Sequence, residues 1–209
     1  MASVMLMGLV INNAIRRSNI RSKKTNEAFW EHERSSYKAP SRPTDDLEYV
    51  SFPPGLPIGI PVDDPSLEEC QRILKTLSGE RIINLSGITN TDIRMSYGKE
   101  NLPELSKADA RYTTLLRSLN TLASGYLGLN YGNEAKVLLE FALSIGSDIK
   151  ESWINLGRCY LKEDDFDSLS SLRSRADASE QPSLKSVEKE LAEMIKLSEI
   201  VKAPSSSRS

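Results

Sequence analysis

The 209-residue sequence predicts an all-α fold of helical hairpins, two repeats plus capping helices, preceded by an N-terminal helix and an extended Pro-rich arm. Three observations carry that prediction. From Leu67 onward apolar residues recur at i, i+3, i+4 and i+7, the spacing of one helix face. Gly, Asn and Asp interrupt this pattern at residues 130–132, 146–148 and 164–165, which leaves room only for short turns between antiparallel helices. The chain also matches itself when it is shifted by 34 residues.

Composition narrows the function classes. A hydrophobic content of 39% supports one packed core, and a formal net charge of -2 argues against a nucleic-acid binder. The charge is uneven: residues 16–43 carry eight Lys/Arg and three Asp/Glu, a balance of +5 that leaves -7 for the remainder. Cys70 and Cys159 stand far apart and in no metal-ligand spacing, so neither a disulfide framework nor a zinc site is indicated. Cys159, inside a helical stretch, reads as a small buried hydrophobe. With His32 as the single histidine, catalytic arrangements that need an imidazole lose their footing.

Residues 1–38 form the first segment. The apolar run from Ala2 to Ile11, even extended to Ile15, is shorter than the roughly 17 to 25 residues that span a bilayer. Positive charges follow the run instead of preceding it, unlike a secretory signal. Arg16, Arg17, Arg21, Lys23 and Lys24 would mark the cytoplasmic side of a membrane segment. Three readings fit: an anchor truncated by a mis-assigned start, an interfacial helix held by anionic lipid, and an apolar terminus buried in the fold. The first is taken as the expectation. Residues 26–34 continue as a helix, with Phe29 and Trp30 as interfacial or docking rings or as rings packed on the body.

Between residues 39 and 65 seven prolines forbid a continuous helix or a central strand. Leu47, Tyr49, Val50, Phe52, Leu56, Ile58 and Ile60 are too many apolar residues for a solvated linker, so this arm should lie along the body. The helical domain then covers 66–203. Its first helix starts with Ser66 as cap and Glu69 in the capping-box position, ends at Gly79, and puts Leu67, Cys70, Ile73, Leu74 and Leu77 on one face. The stretch around Gly87 and Gly98 lacks the Lys-Ser/Thr of a phosphate loop and reads as a short helix from Asn90 or Thr91. From Ser106 the pattern is helical to residue 203, and 204–209 reads as a disordered tail.

At the 34-residue shift Leu119 falls on Trp153, Leu122 on Leu156, Ala123 on Gly157, Tyr126 on Tyr160 and Ala142 on Ala176. Large residues at such positions fill gaps between helices, and Gly or Ala permits close approach. This pattern resembles the tetratricopeptide repeat (TPR) family over repeats at about 116–149 and 150–183. Two units bury little alone, and Leu184, Val187, Leu191, Met194 and Ile195 mark a capping helix at 184–203. Over nearly its whole length the chain is also similar to uncharacterised membrane-anchored TPR-containing proteins of Gram-positive anaerobic bacteria. These share a stretch like Phe29–Glu31, a Pro-containing arm and a block like "NLSGITNTDIRMSYG".

The resemblance implies a non-enzymatic adaptor or scaffold at the cytoplasmic side of the cell membrane, or in the cytoplasm if the anchor is absent. It would bind a peptide or helix of another protein and need no cofactor. In such arrays the first helix of each repeat lines a concave face, and here Arg117, Asn120, Ser124, Leu127, Glu151, Ile154, Asn155, Arg158 and Lys162 would point into it. Arg117, Arg158 and Lys162 with Asn120 and Asn155 would hold a carboxylate or acidic peptide by charge-assisted hydrogen bonds. The alternatives are a solvated face and a self-associating helical domain with no open groove. An enzyme is the remaining class, but the cluster Glu163, Asp164, Asp165 and Asp167 reads as solvated turn residues, and no nucleophile, base and oxyanion donors come together.

Overall fold

The computed structural model describes residues 25–202, and every regular element in them is helical. The helices are α1 (residues 25–36), α2 (Pro65–Leu77), α3 (Asn90–Tyr97), α4 (Leu102–Gly128), α5 (Gly132–Ser144), α6 (Lys150–Lys162), α7 (Phe166–Asp177) and α8 (Pro182–Lys202). The all-α expectation holds. The apolar run at 2–15, its basic flank and the tail at 204–209 lie outside the described residues. No helix among the described residues is long and apolar enough to cross a membrane.

The described residues form two compact units. One ends at Glu48 and takes in Leu85–Lys107; the other comprises Tyr49–Asn84 and the chain from Ala108 onward.

The first unit is joined by polar contacts. Thr89 caps α3 in a reciprocal capping box with Asp92, a start signal that the sequence carries as Thr-Asn-Thr-Asp. Arg94, near the end of α3, is 6% exposed and ion-pairs with Glu33 of α1. Its Nε donates to Ser36 Oγ at 3.0 Å, and the guanidinium lies 4.5 Å from the centre of the Tyr37 ring. A buried Arg requires such companions, because desolvation of an ion pair offsets much of its attraction. Apart from Ser36, which is fully buried, and Glu33, α1 is exposed along its described length. Phe29 and Trp30 pack edge to face on each other and remain open to solvent.

The second unit holds the apolar core. Asp64, and not Ser66, caps α2: its carboxylate accepts from the Ser66 and Leu67 backbone N–H, with Pro65 at the first helical position. Glu69 is drawn to Arg72 instead of back to the cap. Leu67, Cys70, Leu74 and Leu77 of α2 enter one core cluster with α4 to α8. The helix α4 starts four residues earlier than its apolar pattern shows, because Pro103 in the first turn lacks only an N–H that has no helical partner there. Along the arm, the expected Val50, Phe52, Leu56, Ile58 and Ile60, together with Val62, pack on this core, whereas Leu47 and Tyr49 are not part of that packing. The Tyr126 hydroxyl donates to Pro57 O at 3.0 Å and accepts from Gln71 Nε2, which also donates to Ile60 O at 2.7 Å. A buried hydroxyl and a buried amide thus satisfy the carbonyls of a segment too rich in proline for a ladder of its own.

The 34-residue shift is visible in the backbone. α4 ends at Gly128 and α6 at Lys162; α5 begins at Gly132 and α7 at Phe166. Between them Asn130 and Asp164 adopt left-handed φ values of 65° and 59°. Tyr131 N donates to Tyr126 O at 2.8 Å, and Asp165 N to Tyr160 O at 2.9 Å. Gly157 has the role its position implies: a Cβ there would stand 2.5 Å from Leu191 Cδ2 of α8 and 3.4 Å from Leu169 Cδ1 of α7. Leu184, Val187 and Leu191 of α8 are buried on that side, with Met194 and Ile195 packed beside them. The rings and aliphatics matched by the shift are core residues, Tyr160 being half-buried.

Candidate functional site

The described residues that bear polar chemistry on the expected concave face meet between α4 and α6. Both helices are amphipathic, and their polar rows are the positions left over once Leu119, Leu122 and Tyr126, or Trp153, Leu156 and Cys159, have turned into the core. A cavity of 670 Å³ lies there, lined by Ser124, Leu127, Glu151, Asn155, Arg158 and Lys162 of the expected set. Asn130, Gly132, Asn133, Glu134, Cys159 and Glu163 complete the lining. No residue of the arm at 39–65 is part of it.

Three expected residues stand elsewhere. Ile154 is buried at 4% exposure and belongs to the core, because its position on α6 turns it inward beside Trp153. Asn120 reaches the site from one step away: its Nδ2 donates to Glu151 Oε2 at 2.9 Å, and its Oδ1 accepts from Ser152 Oγ. Arg117 is exposed and does not line the cavity.

A continuous hydrogen-bonded row crosses the floor. Ser124 Oγ donates to Glu151 Oε1 at 3.4 Å and accepts from Asn155 Nδ2 at 3.1 Å; Asn155 Oδ1 accepts from Arg158 Nη1 at 3.2 Å. Asn155 is 5% exposed, so its amide is held in one orientation by a donor on one side and an acceptor on the other. At the far end Glu163 is engaged by Lys136, whose Nζ lies 2.5 Å from Oε2 and whose own pKa is raised by that bond. Arg158 and Lys162 form no ion pair with a carboxylate among the described residues.

Cys159 lies at the floor as the expected buried thiol. Burial and then the charge of Glu163 push its pKa up, which suppresses the thiolate that a nucleophile requires. Three of the four acidic residues are committed to structure, Glu163 to Lys136, Asp164 to the left-handed turn, and Asp165 to capping α7 through the Ser168 N–H at 3.0 Å, and Asp167 is exposed. Among the described residues no group of three or more His, Cys, Asp or Glu is placed to hold a metal ion.

Of this lining the concave-face expectation named Ser124, Leu127, Glu151, Asn155, Arg158 and Lys162, and it missed Cys159, Glu163, the turn and the first turn of α5. The start of α5 lies beside the C-terminal end of α6, where Lys136 meets Glu163, and no local pattern in the sequence marks that contact. No protein-family model, curated protein or solved structure matches this chain.

Proposed function

We propose that this chain is a small non-enzymatic adaptor of TPR-like helical hairpins that binds a peptide or helix of another protein in the α4–α6 groove. The observation that carries the reading is the pair Arg158 and Lys162, exposed on one wall without a carboxylate partner among the described residues. Two solvated cations beside a fixed row of amide and hydroxyl groups offer charge-assisted bonds to an incoming carboxylate. The repeated turns at Asn130 and Asp164 support the repeat architecture. The test is direct. A fluorescent peptide carrying both acidic and basic residues should bind the full chain and lose binding at least about tenfold on Arg158→Glu, as a rim or groove charge reversal implies; unchanged binding removes the reading.

A self-associating structural domain is the second reading, and the packed arm favours it, since Tyr126 and Gln71 bind the arm backbone directly. Against it, the arm leaves the groove uncovered. Placement at the cytoplasmic face of the cell membrane remains part of the proposal and rests on the sequence of residues 2–24 alone. Retention of the protein in membranes washed with alkaline carbonate supports it, and release refutes it.

A further inference from the structure

The groove has a direction. At one end Glu151, exposed on the first turn of α6, presents a carboxylate to which Asn120 and Ser124 donate. Two helical turns on, about 10 Å along the axis, Arg158 stands with Lys162 beyond it. Asn155 lies between them with its Nδ2 toward the anionic end and its Oδ1 toward the cationic end, so the buried amide dipole is aligned with the charges on either side. This alignment is the low-energy one: a reversed amide would set Oδ1 against a Ser124 hydroxyl already directed at Glu151, and its N–H donors against the Arg158 guanidinium. Of the other carboxylates in the lining, Glu163 is neutralised by Lys136, and Glu134 sits on the first turn of α5, where the helix dipole offsets it.

Resting on the peptide-binding reading, we propose that the groove selects a bipolar segment of a partner protein. A basic side chain lies against Glu151, and an acidic side chain lies against Arg158 and Lys162, about 10 Å away. That distance corresponds to about three residues in an extended peptide or about seven in a helix. A uniformly acidic segment satisfies one end and meets repulsion at the other, so charge order sets specificity.

The experiment is selection of a displayed random dodecapeptide library on the full chain and on Glu151→Lys, followed by synthesis of the selected peptides and of versions with the two charges exchanged. Wild-type selections should carry a basic and an acidic residue at one fixed spacing, and exchange of the two charges should weaken binding about tenfold or more. Glu151→Lys should select an acidic residue at the formerly basic position, and Glu151→Lys combined with Arg158→Glu should prefer the exchanged peptides. Glu151→Gln removes the anion while keeping an oxygen acceptor, and it should abolish the preference for a basic residue even where the Lys variant folds poorly. Selections that are acidic throughout and indifferent to both Glu151 variants overturn the inference and leave the peptide-binding reading standing. Failure of the wild type to select any peptide overturns both. Sedimentation at the screening concentration covers a second copy as occupant: a dimer that Arg158→Glu dissolves overturns the proposal.

Discussion

Tyr126 and Tyr160 stand one repeat apart, each four residues before a left-handed turn, and they do different work. Tyr126 is fully buried, with its hydroxyl joining Gln71 to the arm carbonyl of Pro57 and its ring edge to face with Tyr131. Tyr160 is half-buried and donates to Glu140 of α5 at 2.9 Å. The turns that follow differ in the same way. Position 131 is a tyrosine that gives α5 no side-chain cap, whereas position 165 is an aspartate that caps α7. The backbone therefore repeats while the side chains answer to their neighbours: the first hairpin faces the arm and α2, and the second faces α8. A repeat fixes where a residue sits, and the adjoining element decides what it does there.

The largest test of this contrast is at the ring position. Trp153→Ala removes a buried indole together with the bond from its Nε1 to Ser147 O, and it should cost about 3–5 kcal/mol. Leu119→Ala, at the matched position, opens a smaller cavity and should lie nearer the lower end of about 2–5 kcal/mol. Denaturant unfolding of both variants reads the difference. Equal losses, or a larger loss at Leu119, would show that the second hairpin does not need a ring to fill its gap.

What the sequence disclosed follows the same division. The helices and the turns between them were legible because apolar spacing and turn residues are local signals. The arm was legible as packed in part: five of the seven apolar residues named among its prolines, Val50, Phe52, Leu56, Ile58 and Ile60, pack on the core, while Leu47 and Tyr49 do not join it. Arg94 was not legible: its burial depends on Glu33, Ser36 and Tyr37, about sixty residues earlier, and no local pattern announces an ion pair at that separation. The cap of α2 failed for a different reason, since Asp64 and Ser66 both suit the role and only the placement of Pro65 decides between them. Of the nine residues expected in the groove six line the cavity; Arg117 and Asn120 do not, and Ile154 sits at the edge of the apolar stripe, where a small rotation of the helix separates core from wall.

A smaller contrast isolates the two hydroxyls. Tyr126→Phe keeps the ring and leaves Pro57 O without its donor, while Gln71 retains Ile60 O. The half-buried carbonyl left without its donor should cost about 1–2 kcal/mol, and the arm backbone near Pro57 should gain hydrogen exchange. Tyr160→Phe removes a bond to an exposed carboxylate that water can solvate, for a loss under about 1 kcal/mol. Similar losses at the two positions would mean that the arm is not secured through Tyr126.

The finest comparison asks whether the two turns are energetically equivalent, as their geometry implies. Asn130 and Asp164 hold φ near +60°, where a Cβ crowds the following carbonyl and where Asn and Asp are tolerated better than other side chains. Asn130→Ala and Asp164→Ala should each destabilise by about 1 kcal/mol, since alanine keeps the crowding and loses the local polar compensation. The matched hydrogen bonds across each turn, Tyr131 N to Tyr126 O and Asp165 N to Tyr160 O, give no reason for the two losses to differ. The caps that follow do differ, however, and the α7 cap at Asp165 holds its first turn independently of residue 164. If Asn130→Ala costs clearly more than Asp164→Ala, the excess measures how far the uncapped start of α5 depends on the turn before it, and the second hairpin owes its tolerance to one aspartate.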